Sequence, residues 1–152
     1  MKAIAVILFF LFSWFISTPF TNFKTSQQTL FGGRAMSGKT IHYQFKTKAR
    51  VASTDFSIDG IWIGNDMVKF QVYSINREKE RSTNFQRGDS IFIDAYQYER
   101  PDPEGNLKVQ KENNISAPKE YNGLAIIKYR YKNTEKYVVI KKINKLPNVY
   151  MP

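Results

Sequence analysis

The sequence predicts an all-β chain, a single antiparallel β-sandwich of about seven strands behind an N-terminal hydrophobic segment. Three observations predict it. From Thr40 onward apolar residues recur with period two, and no stretch after residue 20 carries a 3.6-residue pattern. Aromatic residues make up 15% of the chain, and aromatic side chains favour strands. Turn-forming Gly, Asn, Asp and Pro separate the alternating runs at hairpin spacing.

Met1 and Lys2 form a short positive start, and residues 3–16 (AIAVILFFLFSWFI) are apolar except for Ser13. That length suits a signal-peptide core and falls short of the roughly 20 residues a membrane span needs. No A-x-A cleavage pattern follows, and the run extended to Phe20 is long enough for a tilted anchor. Residues 1–20 are therefore expected to be a signal peptide or an N-terminal anchor. The protein is expected to be exported, periplasmic or membrane-anchored facing the periplasm, with an extracellular fate open. Residues 21–39 are polar and carry Gly32, Gly33 and Gly38, which reads as a linker with room for a short strand at 29–31.

Residues 40–152 form the expected sandwich domain, immunoglobulin-like in plan. Residues 40–48 alternate Ile41, Tyr43 and Phe45 with His42, Gln44 and Lys46. Residues 56–63 and 67–75 flank Gly64-Asn65-Asp66 and read as a hairpin. A charged connection at 76–87 leads through Gly88-Asp89 into a strand at 90–98. Residues 100–119 hold Pro101, Pro103, Gly105 and Pro118 and read as a loop with a short strand near 107–109. Residues 124–131 and 136–143 form a second hairpin, and the tail from 144 reads as irregular. The expected inward set is Ile41, Tyr43, Phe45, Phe56, Ile58, Trp62, Val68, Phe70, Val72, Ile91, Ile93, Ile127, Tyr129, Val138 and Ile140. In the second strand the phase of Phe56, Ile58, Gly60 and Trp62 is assigned to the core, and that of Asp59, Ile61 and Ile63 to the outside.

Composition excludes more chemistry than it selects. The chain has no cysteine, so it has no disulfide, thiol nucleophile, Cys-based zinc site or lipidated cysteine. One histidine, His42, excludes a two-His metal site or mechanism within one chain. No cofactor and no metal ligand set is expected. Residues 33–40 (GRAMSGKT) match the phosphate-loop pattern letter for letter. That chemistry needs a helix to begin at the Lys-Thr so that its N-terminus faces the phosphates. Here Lys39-Thr40 opens an alternating strand, so no nucleotide is expected.

Asp59 and Asp94 are strand-interior carboxylates. Facing one groove they would suit glycoside hydrolysis, the enzymatic alternative. His42, on the polar phase, is expected to be solvated or locally hydrogen-bonded. Asp102, Glu104, Asn106 and Glu112 are loop oxygens without the calcium-loop spacing. Charge is the strongest surface signal: Lys+Arg outnumber Asp+Glu 23 to 13, a net +10. Lys128, Arg130, Lys132, Lys136 and Lys141 crowd the last hairpin with Tyr131 and Tyr137 among them. They are the candidate binding residues, for an anionic polymer or a partner protein. Basic strands with interleaved aromatics also suit an OB-like binder of single-stranded nucleic acid, a further alternative.

The order of several features resembles that of small exported β-sandwich proteins of unknown function in Gram-negative bacteria. The residues are Phe31-Gly32-Gly33 with Ser37-Gly38-Lys39, Ile61-Trp62-Ile63-Gly64, Phe85-Gln86-Arg87-Gly88-Asp89 and the final Tyr150-Met151-Pro152, over roughly residues 30–152. The resemblance implies compartment and fold and no catalytic residue. The expected function is a non-enzymatic envelope protein that binds a partner protein or an anionic surface polymer.

Overall fold

The computed structural model describes residues 18–33, 38–75, 79–111 and 115–151. The apolar run at 3–16, the middle of the phosphate-loop match, Arg77, Glu78 and Glu112 lie outside the described residues.

Among those residues the chain is all-β. Its strands are β1 (Lys24–Phe31), β2 (Lys39–Lys48), β3 (Phe56–Ile63), β4 (Asp66–Met67), β5 (Lys69–Ile75), β6 (Arg81–Ser82), β7 (Ser90–Pro101), β8 (Leu107–Val109), β9 (Ala125–Tyr131), β10 (Thr134–Ile140), β11 (Asn144–Lys145) and β12 (Val149–Tyr150). An eight-stranded sheet has the order β11-β1-β2-β7-β5-β6, with β12 also on β1 and β8 on β7. A four-stranded sheet has the order β10-β9-β3-β4. Pairing is antiparallel except where β11 and β12 run parallel to β1.

The two sheets share one core. The register Tyr43↔Ala95 and Phe45↔Ile93 puts the apolar phases of β2 and β7 on one face. They meet Phe56, Ile61, Ile127 and Tyr129 of the smaller sheet in one buried cluster. The other expected inward residues except Trp62 belong to this cluster or pack on its border, as Ile58, Phe70, Val72 and Val138 do.

Five expectations are corrected. First, residues 24–31 are a strand and not part of a linker, pairing with β2 from Lys24↔Lys46 to Phe31↔Lys39. Its Ser, Thr and Gln side chains hid it, because an outer strand needs less apolar surface than a central one. The domain also reaches back into the segment assigned to a signal or anchor. Phe20 is 3% exposed and meets Phe23 and Tyr129, each at 4.9 Å between ring centroids.

Second, the hairpin after β3 lasts only two residue pairs, Trp62↔Met67 and Ile63↔Asp66. The chain then crosses between sheets at buried Val68, and β5 pairs with β7. Two apolar alternating segments joined by a turn can pair with each other or with others, and local pattern does not choose.

Third, β3 changes face partway. Pairing with β9 slips between Ile58 and Gly60, leaving Asp59 as an extra residue. Such a bulge exchanges inside and outside for the residues beyond it. Phe56 and Ile58 face the core, as do Ile61 and Ile63 after the slip, while Trp62 faces outward.

Fourth, the tail is ordered. Its pieces β11 and β12 lie along β1, and Tyr150 stacks on Phe31 at 5.0 Å. Fifth, beside seven strands of seven or more residues, the described residues hold five pieces only two or three residues long that the sequence reading does not count as strands of the sandwich. Pieces that short have no period to read.

Candidate functional site

The cations expected to act together on the last hairpin are dispersed or paired. Lys128 and Arg130 lie on the outward face of the four-stranded sheet. Lys128 Nζ is 2.6 Å from Glu135 Oε1, and Arg130 Nη2 is 3.1 Å from Asp59 Oδ2. Tyr137, directly across from Lys128, lies beneath the Lys119 ammonium, 4.6 Å from the ring centroid. Tyr131 is buried in the core, with Lys132 and Lys136 near its ring at 5.3 and 5.6 Å. The turn joining the strands is Lys132-Asn133, whose positive φ angles of 51° and 58° fit a two-residue hairpin. Only Lys141 lies elsewhere, past the end of β10 and in the groove described below.

The two strand aspartates do not form a pair. Asp59 stands at the bulge on the outside of the smaller sheet, accepting from Ser57 Oγ at 2.7 Å. Asp94 stands on the outside of the larger sheet, in the phase opposite to Ile93 and Ala95. Opposite outer faces of the molecule cannot flank one glycosidic bond, so this geometry removes the carboxylate pair on which the hydrolase alternative stood. Lys39 and Thr40 lie within β2, and Lys39 is ion-paired with Glu99 at 2.9 Å.

Asp94 organises a polar hub that the sequence did not announce. It is only 1% exposed although its phase faces outward. Gln44 Nε2 donates to Oδ1 at 3.0 Å, and Tyr73 Oη donates to Oδ2 at 2.9 Å. His42 Nε2 stands 3.1 Å from Oδ1, off the line of a hydrogen bond, and Arg81 reaches Oδ2 at 4.0 Å. Two stacked pairs flank the carboxylate, His42 on Tyr96 at 4.8 Å and Tyr73 on Phe92 at 5.5 Å. Arg81 covers Tyr73 at 4.2 Å. Burial pushes the Asp94 carboxyl up, but the bonds from Gln44 and Tyr73 and the nearby His42 outweigh it and hold the group below its ordinary range. Burial and the bond to Asp94 push the Tyr73 phenol up to about 12, so it remains a donor. The hub is a satisfied anion, and its chemistry is that of a clamp joining β2, β5 and β7.

A groove of about 580 Å³ opens between the chain entering β1 and the end of β10. This lies within the usual range of ligand pockets, about 300–1,000 Å³. One wall is fixed to the end of β2, as Arg50 N donates to Pro19 O at 2.8 Å and Thr21 N to Lys48 O at 3.0 Å. The other wall is β10, an edge strand, and the residues leaving it. Thr25 Oγ1 ties the walls together by donating to Lys142 O at 2.6 Å. The floor carries Phe20, Phe23, Val138 and Ile140, while Arg50, Lys141 and Lys142 supply charge. No carboxylate lines the groove among the described residues. None of these three cations forms an ion pair among them.

The charge of the last hairpin points to Lys141, whereas Arg50, ninety-one positions away in the chain, carries no local signal. Among the described residues no cluster of His, Asp and Glu could hold a metal ion. Comparison of the chain with protein-family models, curated proteins and solved structures finds no match in any of the three.

Proposed function

We propose that the protein is an exported, non-enzymatic binding module of the cell envelope whose ligand is anionic and enters the groove between residues 18–25 and 138–142. The two packed sheets serve as its rigid frame, an immunoglobulin-like β-sandwich in plan. The observation that carries the reading is the unbalanced charge of the groove: Arg50, Lys141 and Lys142 line it without a carboxylate among the described residues. A cleft lined by one sign of charge concentrates oppositely charged ligands. By contrast, Lys128 and Arg130 are already engaged by Glu135 and Asp59. Export is supported by the positive start and apolar run of residues 1–16.

The test is binding of labelled dextran sulfate, with neutral dextran as control, to the full chain. Arg50→Ala/Lys141→Ala/Lys142→Ala is expected to weaken binding at least tenfold, and Lys128→Ala/Arg130→Ala to change it less than threefold. The reverse order would move the site to the hairpin. Equal binding of neutral dextran would remove charge as its basis.

A further inference from the structure

Resting on that reading of the groove, we infer that its ligand is an anionic membrane lipid, with the phosphate held by Arg50, Lys141 and Lys142 and acyl carbons on the apolar floor. A site for a soluble anion or a polysaccharide needs charge and hydrogen-bond donors. A small soluble anion has no use for the apolar floor that Phe20, Phe23, Val138 and Ile140 provide here, and a flexible charged polymer fills it less completely than acyl carbons do. Phe20 is the buried end of that floor, and Phe23 and Val138 are partly buried beside it. The groove is therefore amphipathic in the same sense as a phospholipid.

Its place in the chain supports the membrane as the source. The apolar run ends at Ile16, and the groove wall begins at Thr18. With the run kept as an anchor, the groove adjoins the point where the chain leaves the apolar segment. The polar groups on the wall leave few other donors for a sugar, since Thr18 Oγ1 donates to Phe20 O at 2.8 Å and Thr25 Oγ1 to Lys142 O. Thr21 Oγ1 is shared with Thr47 Oγ1 at 3.3 Å. Beside these threonines the wall offers the Asn22 amide, and Arg50, Lys141 and Lys142 supply all of its charge, which suits a phosphodiester better than an uncharged hydroxyl-rich chain.

The experiment uses the full chain in phosphatidylcholine nanodiscs, so that residues 1–16 have the same neutral bilayer in every arm. Dihexanoyl phosphatidylglycerol, dihexanoyl phosphatidylcholine and glycerol 3-phosphate are titrated separately, and amide and methyl NMR shifts are followed. The expected result is saturable shifts at Phe23, Val138, Lys141 and Lys142 with the phosphatidylglycerol, at least tenfold tighter than with either other probe. Lys141→Glu/Lys142→Glu, at two exposed positions, is expected to weaken it at least tenfold, and Phe23→Ala at least threefold. Thermal melts establish that each variant folds. Glycerol 3-phosphate binding as tightly would reduce the site to a simple anion site, overturning the lipid and sparing the proposed function. Equal binding of the zwitterionic lipid, or no shift at the groove with any probe, would overturn the lipid too. If dextran sulfate binding also proves independent of the three cations, the proposed function falls with it.

Discussion

The outward faces of the two sheets each bury a large side chain, by opposite physics. On the eight-stranded sheet the buried group is Asp94, held by donors from β2 and β5. On the four-stranded sheet it is Trp62, 4% exposed and roofed by the segment at 115–121. The indole N–H donates to Ile115 O at 3.0 Å, and Tyr121 Oη donates to Gly64 O. Ala117 N donates to Asn65 Oδ1 at 3.0 Å, tying the same roof to the turn after β3. A buried carboxylate is tolerated only while its partners are in place, so its worth depends on pH. A buried ring depends on coverage and volume, and pH does not enter. The comparison teaches that neither outer face should be taken as a binding surface because its phase faces outward.

The largest expected effect is at the apolar roof. Trp62→Ala is expected to cost about 3–5 kcal/mol in urea unfolding, the range for truncating a buried large aromatic. That is a large share of an ordinary domain's stability, about 5–15 kcal/mol. A loss below about 1 kcal/mol would show that the 115–121 segment does not cover the ring in solution, and the comparison would break there.

Tyr73→Phe is expected to cost about 1.5–3 kcal/mol near neutral pH, the worth of a hydrogen bond to a charged group. Asp94 has a folded-state pKa below its unfolded value. Its stabilisation is therefore complete above the unfolded value, about 3.9, and is lost as pH falls from there through the depressed folded value. Removing the Tyr73 donor weakens that depression, so part of the acid-induced loss should disappear in Tyr73→Phe. Equal slopes of stability against pH below about pH 4 in both proteins would show that the bond does not act on the carboxylate.

Gly60→Ala sharpens the account of the roof. A Cβ at Gly60 would stand 2.5 Å from the indole Cη2 of Trp62. The ring is pinned at its N–H, so a loss of about 1–3 kcal/mol is expected from overpacking. An unchanged midpoint in urea would mean that the indole shifts freely. The smallest effect belongs to an ion pair on the same face. Arg130 is half exposed, and Arg130→Ala should cost between 0 and about 1 kcal/mol, decreasing with added salt. A larger, salt-insensitive loss would make Asp59 a structural anion like Asp94.

The strands with the cleanest alternation were the most legible. In β2 and the start of β7 each inward apolar residue belongs to the core as period two requires, because one phase of each strand is consistently apolar and the other carries polar or charged residues such as His42, Gln44 and Asp94. In β3 legibility ended at Asp59. Ile61, Trp62 and Ile63 are all apolar, so the phase after the bulge left no mark in the residue types. The candidate site was less legible than the fold. Lys141 stands out in the sequence through the charge of its hairpin, whereas the groove exists because residues 18–25 return beside β10. Arg50 and Asp94 carry no sequence mark of their roles, since solvated and structural charges have the same letters.

By itself the sequence determined an all-β chain, the inward phase of most long strands, a cationic surface and the absence of thiol chemistry. These follow from composition and from side-chain alternation, which are local. Only the tertiary structure decided which strands share a sheet, that the chain crosses at Val68, and that Asp59 bulges. It also decided that Phe20 belongs to the core and which cations keep a carboxylate beside them. The physical reason is that pairing, burial and charge neutralisation are properties of neighbours in space. In this largely antiparallel fold those neighbours are mostly distant in the chain, as Lys39 and Glu99 or Gly60 and Lys128 are.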